Sequence, residues 1–147
     1  MPVISNYAKG ELVTWCRVPS GSSILVVCMK AAVSDATAQD TQYLQGLFDA
    51  GGAESTFTNV IRPTFGASDI TVTTDLSGNQ KVVSFPKITI PVAGGPVNES
   101  VVQFAIAWQP LTGVSNDSQC QLIATQTNTG STNGAAFSFQ LQALTAK

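Results

Sequence analysis

The chain has 147 residues, of which 44% are hydrophobic, seven are Lys or Arg, nine are Asp or Glu and none is His. That length fits one domain, 1–147, able to bury a core without disulfide or metal staples. A net charge of −2, with Lys9, Arg17, Lys30, Arg62, Lys81, Lys87 and Lys147 scattered along the chain, argues against nucleic acid as the main partner. The longest apolar run, residues 24–29, is too short for a membrane-spanning helix.

Charged residues make up only 11% of the chain, against about 25% in ordinary soluble domains. Thr, Ser, Asn and Gln must therefore supply the polar surface. Such a surface repels little and costs less to desolvate than a charged one, which suits large protein contacts. The N-terminus shows neither a basic region nor a long apolar stretch, so the expectation is synthesis in the cytoplasm without a cleaved signal.

Ile4, Ala8, Leu12 and Trp15 recur at helical spacing and predict a helix of about three turns. Ser5 or Asn6 would cap it, Gly10 weakens it, and Pro19-Ser20-Gly21 ends it. Residues 22–33 hold a β-branched apolar run and predict a buried strand. Cys28 within it reads as a small buried hydrophobe. Cys16, Cys28 and Cys120 are odd in number and widely spaced, so they do not form a disulfide framework, although a Cys16–Cys28 bridge stays open.

Asp35 or Asp40 is expected to cap a second helix with Tyr43, Leu44, Leu47 and Phe48 on one face, stopped by Gly51-Gly52. From Thr56 onward the period changes to two. Phe57, Val60 and Ile61 lead to Pro63. Residues 70–74 and 81–85 form a hairpin around Ser77-Gly78-Asn79. Ile88-Thr89-Ile90, flanked by Pro86 and Pro91, reads as a short or edge strand. Residues 92–96 read as a loop, 101–108 as a strong buried strand closed by Pro110, and 119–125 as another. A polar turn over 128–134 precedes a last strand at 135–141. The predicted fold class is α+β, mainly β: an antiparallel β-sandwich or barrel, with two short helices in the N-terminal third covering one side.

The absence of histidine removes the commonest general base and most transition-metal sites. No Walker-type loop, G-x-G-x-x-G or C-x-x-C is present, and Gly94-Gly95 lacks the lysine and helix start of a phosphate cradle. The nine carboxylates fall at expected helix starts, strand ends and turns, so the reading is no enzyme, no cofactor and no metal. Asn98-Glu99-Ser100 matches the short glycosylation sequon with no secretion signal beside it. The candidate partner contacts are Val3, Ile4 and Tyr7 in the N-terminal segment, and Phe57, Val60, Ile61, Arg62 and Phe65 before the hairpin. Both segments are apolar and locally ambiguous. Arg62 offers a fork for a carboxylate. Trp15 and Trp108 read as core.

Several separated pieces carry a resemblance. They are Val3-Ile4-Ser5-Asn6 with Ala8-Lys9-Gly10, then Ser34-Asp35-Ala36-Thr37 before a helix with Leu44 and Leu47. Asn59-Val60-Ile61-Arg62-Pro63-Thr64 and Ile70-Thr71-Val72 follow. Last is Gly94-Gly95-Pro96-Val97-Asn98 before a strand closing on Trp108 and Pro110. In this order they resemble short virion structural proteins of tailed bacteriophages, among them small capsid decoration or cement proteins. Gln109 departs from the pattern, where an acidic residue is expected. The resemblance implies a non-catalytic protein on the capsid exterior. Its partner would be the major capsid protein, and the chain would be a homo-oligomer, a dimer or trimer. Two other readings fit the composition: a tail or adaptor protein of the virion, and a carbohydrate-binding or adhesive β-domain on the particle surface.

Overall fold

A computed structural model describes residues 1–91 and 95–147. The expected loop at 92–96 and the Gly94-Gly95 pair thus fall partly outside the described residues. In chain order the elements are β1 (Val3–Ile4), α1 (Leu12–Cys16), β2 (Ser23–Ala31), α2 (Asp35–Gln39), α3 (Leu44–Asp49), β3 (Ala53–Glu54), β4 (Thr64–Phe65), β5 (Thr71–Asp75) and β6 (Gln80–Ser84). Then come β7 (Ile88–Ile90), β8 (Ser100–Gln109), β9 (Gln121–Ser131), β10 (Phe137–Phe139) and β11 (Leu144–Ala146). The main sheet has the order β1-β9-β8-β2-β3, with β4 also on β2. A three-stranded sheet, β11-β6-β5, and a two-stranded one, β10-β7, complete the fold. All pairings are antiparallel. The sheets pack as a sandwich that is not a closed barrel.

The alternation of side chains along a strand explains why the centre of the main sheet is apolar throughout. In β2, Ile24, Val26 and Cys28 point into a core shared with the smaller sheets, while Leu25, Val27 and Met29 point into a second core. That second core also holds Ala38, Leu44 and Leu47 from α2 and α3 and their approaches. Strand β8 sends the bulky Phe104 and Ile106 into the first core and the small Ala105 and Ala107 toward the helix side. A strand covered on both faces must be apolar at every position, and this is what the 24–29 run records. Each fully buried Val, Leu or Ile contributes roughly 1.5–3 kcal/mol.

The first expected helix is mostly something else. Val3 and Ile4 pair with Thr125 and Ala124 as a strand. Ser5 N donates to Ile123 O at 2.9 Å, and Ser5 Oγ donates to Thr41 O at 2.6 Å. These bonds hold the chain extended where a helix would have to nucleate. Tight turns follow, with Ala8 N donating to Ser5 O and Glu11 N to Ala8 O, and only Leu12–Cys16 is helical. Nucleation costs several fixed dihedrals for one bond, so the ladder to β9 prevails.

The second expected helix is divided into α2 and α3. Ser34, not Asp35 or Asp40, caps α2, its Oγ accepting from Thr37 N at 3.2 Å. The break comes where residues 42 and 43 turn toward the main sheet. Leu122 N donates to Gln42 O at 2.8 Å, and Tyr43 forms a bridge with Gln121. Leu44 and Leu47 are buried as expected. Gly51 ends α3 at φ +101°, a conformation that favours glycine.

The hairpin of β5 and β6 has the expected turn. Asp75 Oδ1 accepts from Ser77 N, Ser77 Oγ and Gly78 N. Further along, the expected turn at 128–134 is misplaced, because β9 continues to Ser131. Its polar sequence hides a bulge opposite β8, where Asn128 Nδ2 donates to Val101 O at 2.6 Å. The two-residue strands β1, β3 and β4 and the strand β11 carry no periodicity that reveals them.

Candidate partner-binding surface

The structure does not bring the two predicted contact segments together. Val3 and Ile4 are half-buried on β1, at one edge of the main sheet, and the 57–65 segment lies by β3 and β4 at the other. Tyr7, 52% exposed, sits in the turn after β1. Phe57 is 1% exposed and Phe65 9%, so both are core residues and not the surface anchors expected of them. Val60 is half-buried against the same core. Ile61 is 51% exposed and remains available.

Arg62 is committed within its own chain. Nε and Nη2 donate to both oxygens of Glu54 at 2.8 and 2.7 Å, and Nη1 and Nη2 donate to both oxygens of Asp117 at 2.6 and 3.1 Å. The hydrogen bonds to Glu54, then those to Asp117, outweigh burial and raise the guanidinium pKa further. The fork foreseen for a partner's carboxylate thus closes on two internal ones. It locks the 57–65 segment to the 110–118 loop, whose Leu111 and Val114 are exposed. Because these groups are about a third exposed, Arg62→Met should cost only about 1–2 kcal/mol in chemical denaturation. Nothing in the sequence near Arg62 announces Asp117, which comes 55 residues later.

A second polar hub sits around Glu99. Its carboxylate accepts from Thr56 N at 2.7 Å and Thr56 Oγ1 at 2.5 Å, with Lys30 Nζ at 3.6 Å. Burial draws the Glu99 pKa up, but the bonds from Thr56 and the charge of Lys30 outweigh it and leave the group below its ordinary value. A depressed carboxyl contributes stability above its unfolded pKa and loses it as pH falls through the folded value. Denaturation midpoints of Glu99→Gln and the parent should therefore differ at neutral pH and converge in acid, as pH falls from the unfolded value through the depressed folded one.

The cysteines are buried and free. Burial pushes Cys16 to about 12, and burial followed by the nearby Glu54 charge pushes Cys28 to about 12. Neither the Cys16–Cys28 bridge nor a reactive thiolate is present. Trp15 and Trp108 stack at 5.4 Å and 3° against the first core. The exposed aromatics among the described residues, Tyr7 and Tyr43, lie in connections and not along a sheet face. Among the described residues, no three His, Cys, Asp or Glu side chains gather as a metal site, and no helix is long and apolar enough to cross a membrane.

The surface most open to a partner is therefore backbone and hydroxyl. The outer edge of β5 is unpaired among the described residues, and Thr71, Thr73 and Thr74 are exposed. Leu76 at the tip of its hairpin is 87% exposed. On the other side of the molecule, an open groove of about 940 Å³ runs beside β1 and includes Val3, Gln39, Thr127, Gln142 and Thr145. Comparison with protein-family models, with curated proteins and with solved structures finds no match for the chain.

Proposed function

We propose that the chain is a cement or decoration protein on the head of a tailed bacteriophage, binding the outer surface of the major capsid shell. The observation that supports this most is the character of its open surface. Strand edges with few charged side chains, exposed hydroxyls and single apolar side chains in the connections are distributed around the sandwich. That surface suits contact with several protein neighbours at once. The order of sequence pieces that resemble small virion proteins supports the biological setting.

The mechanism is a clamp. Each contact is modest, but simultaneous engagement of two or more shell subunits raises avidity. Binding the expanded shell in preference to its precursor stabilises that state by mass action. Assembly into a dimer or trimer on a local symmetry axis multiplies the contacts. The test is to mix the purified chain with expanded heads that lack it and image them by cryo-electron microscopy. Ordered density at symmetry-related shell positions, with a raised disassembly temperature, is the expected result. Absence of density on the shell would overturn the head assignment and favour a tail or adaptor position.

A further inference from the structure

The sandwich is open along one side, and that opening has a defined chemistry. Strand β1 ends the main sheet and β11 ends the three-stranded sheet, so each has an outer edge with no strand partner among the described residues. Both edges border the same groove. Val3, Ile4, Ala143 and Thr145 line its wide part. Ile4 and Leu12 line a narrower continuation of about 280 Å³, with Thr145 and Ala146 across from them. A row of unpaired N–H and C=O groups is a template for another strand, and natural edges are blunted by charge, proline or bulges. Within β1 and β11 themselves none of these occurs; Pro2 precedes Val3 and Lys147 follows Ala146, so the blunting residues stand only at the ends of the two edges.

At one end of the gap the protein fills this role itself. Gln126 on β9 turns its side-chain amide to the backbone of Gln142. Gln126 Nε2 donates to Gln142 O at 2.9 Å, and Gln142 N donates to Gln126 Oε1 at 2.9 Å. Those are the two bonds that the peptide group of a neighbouring strand would make. The charged side chains lining the narrow part are Lys9 and Lys147, whereas the wide part sets Asp35 against Lys9, so the positive character belongs to the narrow part. Lys9 Nζ donates to Asn6 Oδ1 at 2.7 Å, and an ammonium has three donors, so capacity for a carboxylate remains.

We infer that the narrow, lysine-flanked part of this slot receives an extended, acidic segment of a partner polypeptide, which adds a strand beside β1 or β11. Main-chain bonds supply the affinity in such β-augmentation, and alternate side chains supply the specificity. Here the alternate positions meet Ile4 and Leu12 on the inner side and the two lysines at the rim. The inference rests on the partner-binding reading above and deepens it by naming the class of ligand.

The experiment needs no particle, so its outcome is separable from that of the head assignment. The whole ¹⁵N-labelled chain is titrated with a capped octapeptide, Thr-Glu-Val-Glu-Val-Glu-Val-Thr, and with the analogue in which lysine replaces glutamate. The acidic peptide should shift the amides of Val3, Ile4, Thr145 and Ala146 and slow their hydrogen exchange. The lysine analogue should bind at least tenfold more weakly, and Lys9→Glu combined with Lys147→Glu should reverse the preference. No shift at these amides with the acidic peptide would overturn the slot. Equal binding of the two peptides would overturn its acidic selectivity. Concentration-dependent changes at the same amides without peptide would assign the slot to a second copy of the chain, overturning the partner segment.

Discussion

Phe57→Ala should lose about 3–5 kcal/mol of stability, the usual cost of emptying a buried phenylalanine site. For a chain of this size that corresponds to a fall of roughly 10–15 °C in the melting midpoint. The reason is its place in a run of rings. Phe57 meets Phe137 edge-on at 6.0 Å, Phe137 lies 5.4 Å from Phe139, and Phe139 stacks on Phe104 at 4.1 Å. This run joins the 57–65 segment to β10 and β8, so one truncation loosens the sandwich from both sides. Ile61→Ala, at an exposed position four residues later, should change stability by no more than about 0.5 kcal/mol. Thermal and urea unfolding of the two variants check the contrast. Similar small losses in both would mean that Phe57 is a surface residue, as its irregular sequence surroundings suggested.

The mainly β class, the hairpin and the buried strands β2 and β8 were legible because their patterns are local. Period two marks β5 and β6, and an unbroken apolar run marks a strand covered on both faces. What was not legible depends on distant partners. Ile4, Ala8, Leu12 and Trp15 keep their inward spacing, yet Ile4 belongs to a strand because β9 offers it a ladder. Tertiary context here overrides a periodic pattern that fits a helix equally well. The same limit governs the candidate surface. Val3 and Ile4, expected from sequence as contacts, lie on β1 at the edge of the main sheet, and Tyr7 lies in the turn after it. The slot itself needs β11 and the Gln126–Gln142 bridge, and three residues at 144–146 have no period to read. For the 57–65 segment, sequence could not tell an apolar loop folded inward from one left outside. Of its apolar residues only Ile61 is exposed, while Arg62 is held by carboxylates from two other segments.

Gln103→Leu should be as damaging as many core truncations although it adds no cavity and removes no apolar contact. Gln103 is 1% exposed, on the helix side of β8. Its Oε1 accepts from Val33 N at 3.1 Å, and its Nε2 donates to Val33 O at 3.2 Å. The side chain therefore satisfies both backbone groups of a residue that leaves β2 and enters α2, without any strand beside it. Leucine has similar volume but leaves the Val33 N–H and C=O unpaired in a buried place. Each orphaned group costs about 1–3 kcal/mol, giving an expected loss of roughly 2–6 kcal/mol. The effect should be local before it is global, since the Gln103–Val33 pair tethers the connection into α2. Hydrogen exchange should quicken first at Val33 and through Asp35–Gln39, with β8 and β2 keeping their protection up to the global transition. Gln103→Glu offers the complementary check. At neutral pH its carboxylate can still accept from Val33 N but has no proton for Val33 O, and it brings a buried charge. It should be less stable than the parent at pH 7 and recover as the acid protonates, because the protonated carboxyl again donates to Val33 O. A variant pair that unfolds like the parent at every pH would show that Val33 finds other partners and that the amide is not what holds α2 to the sheet.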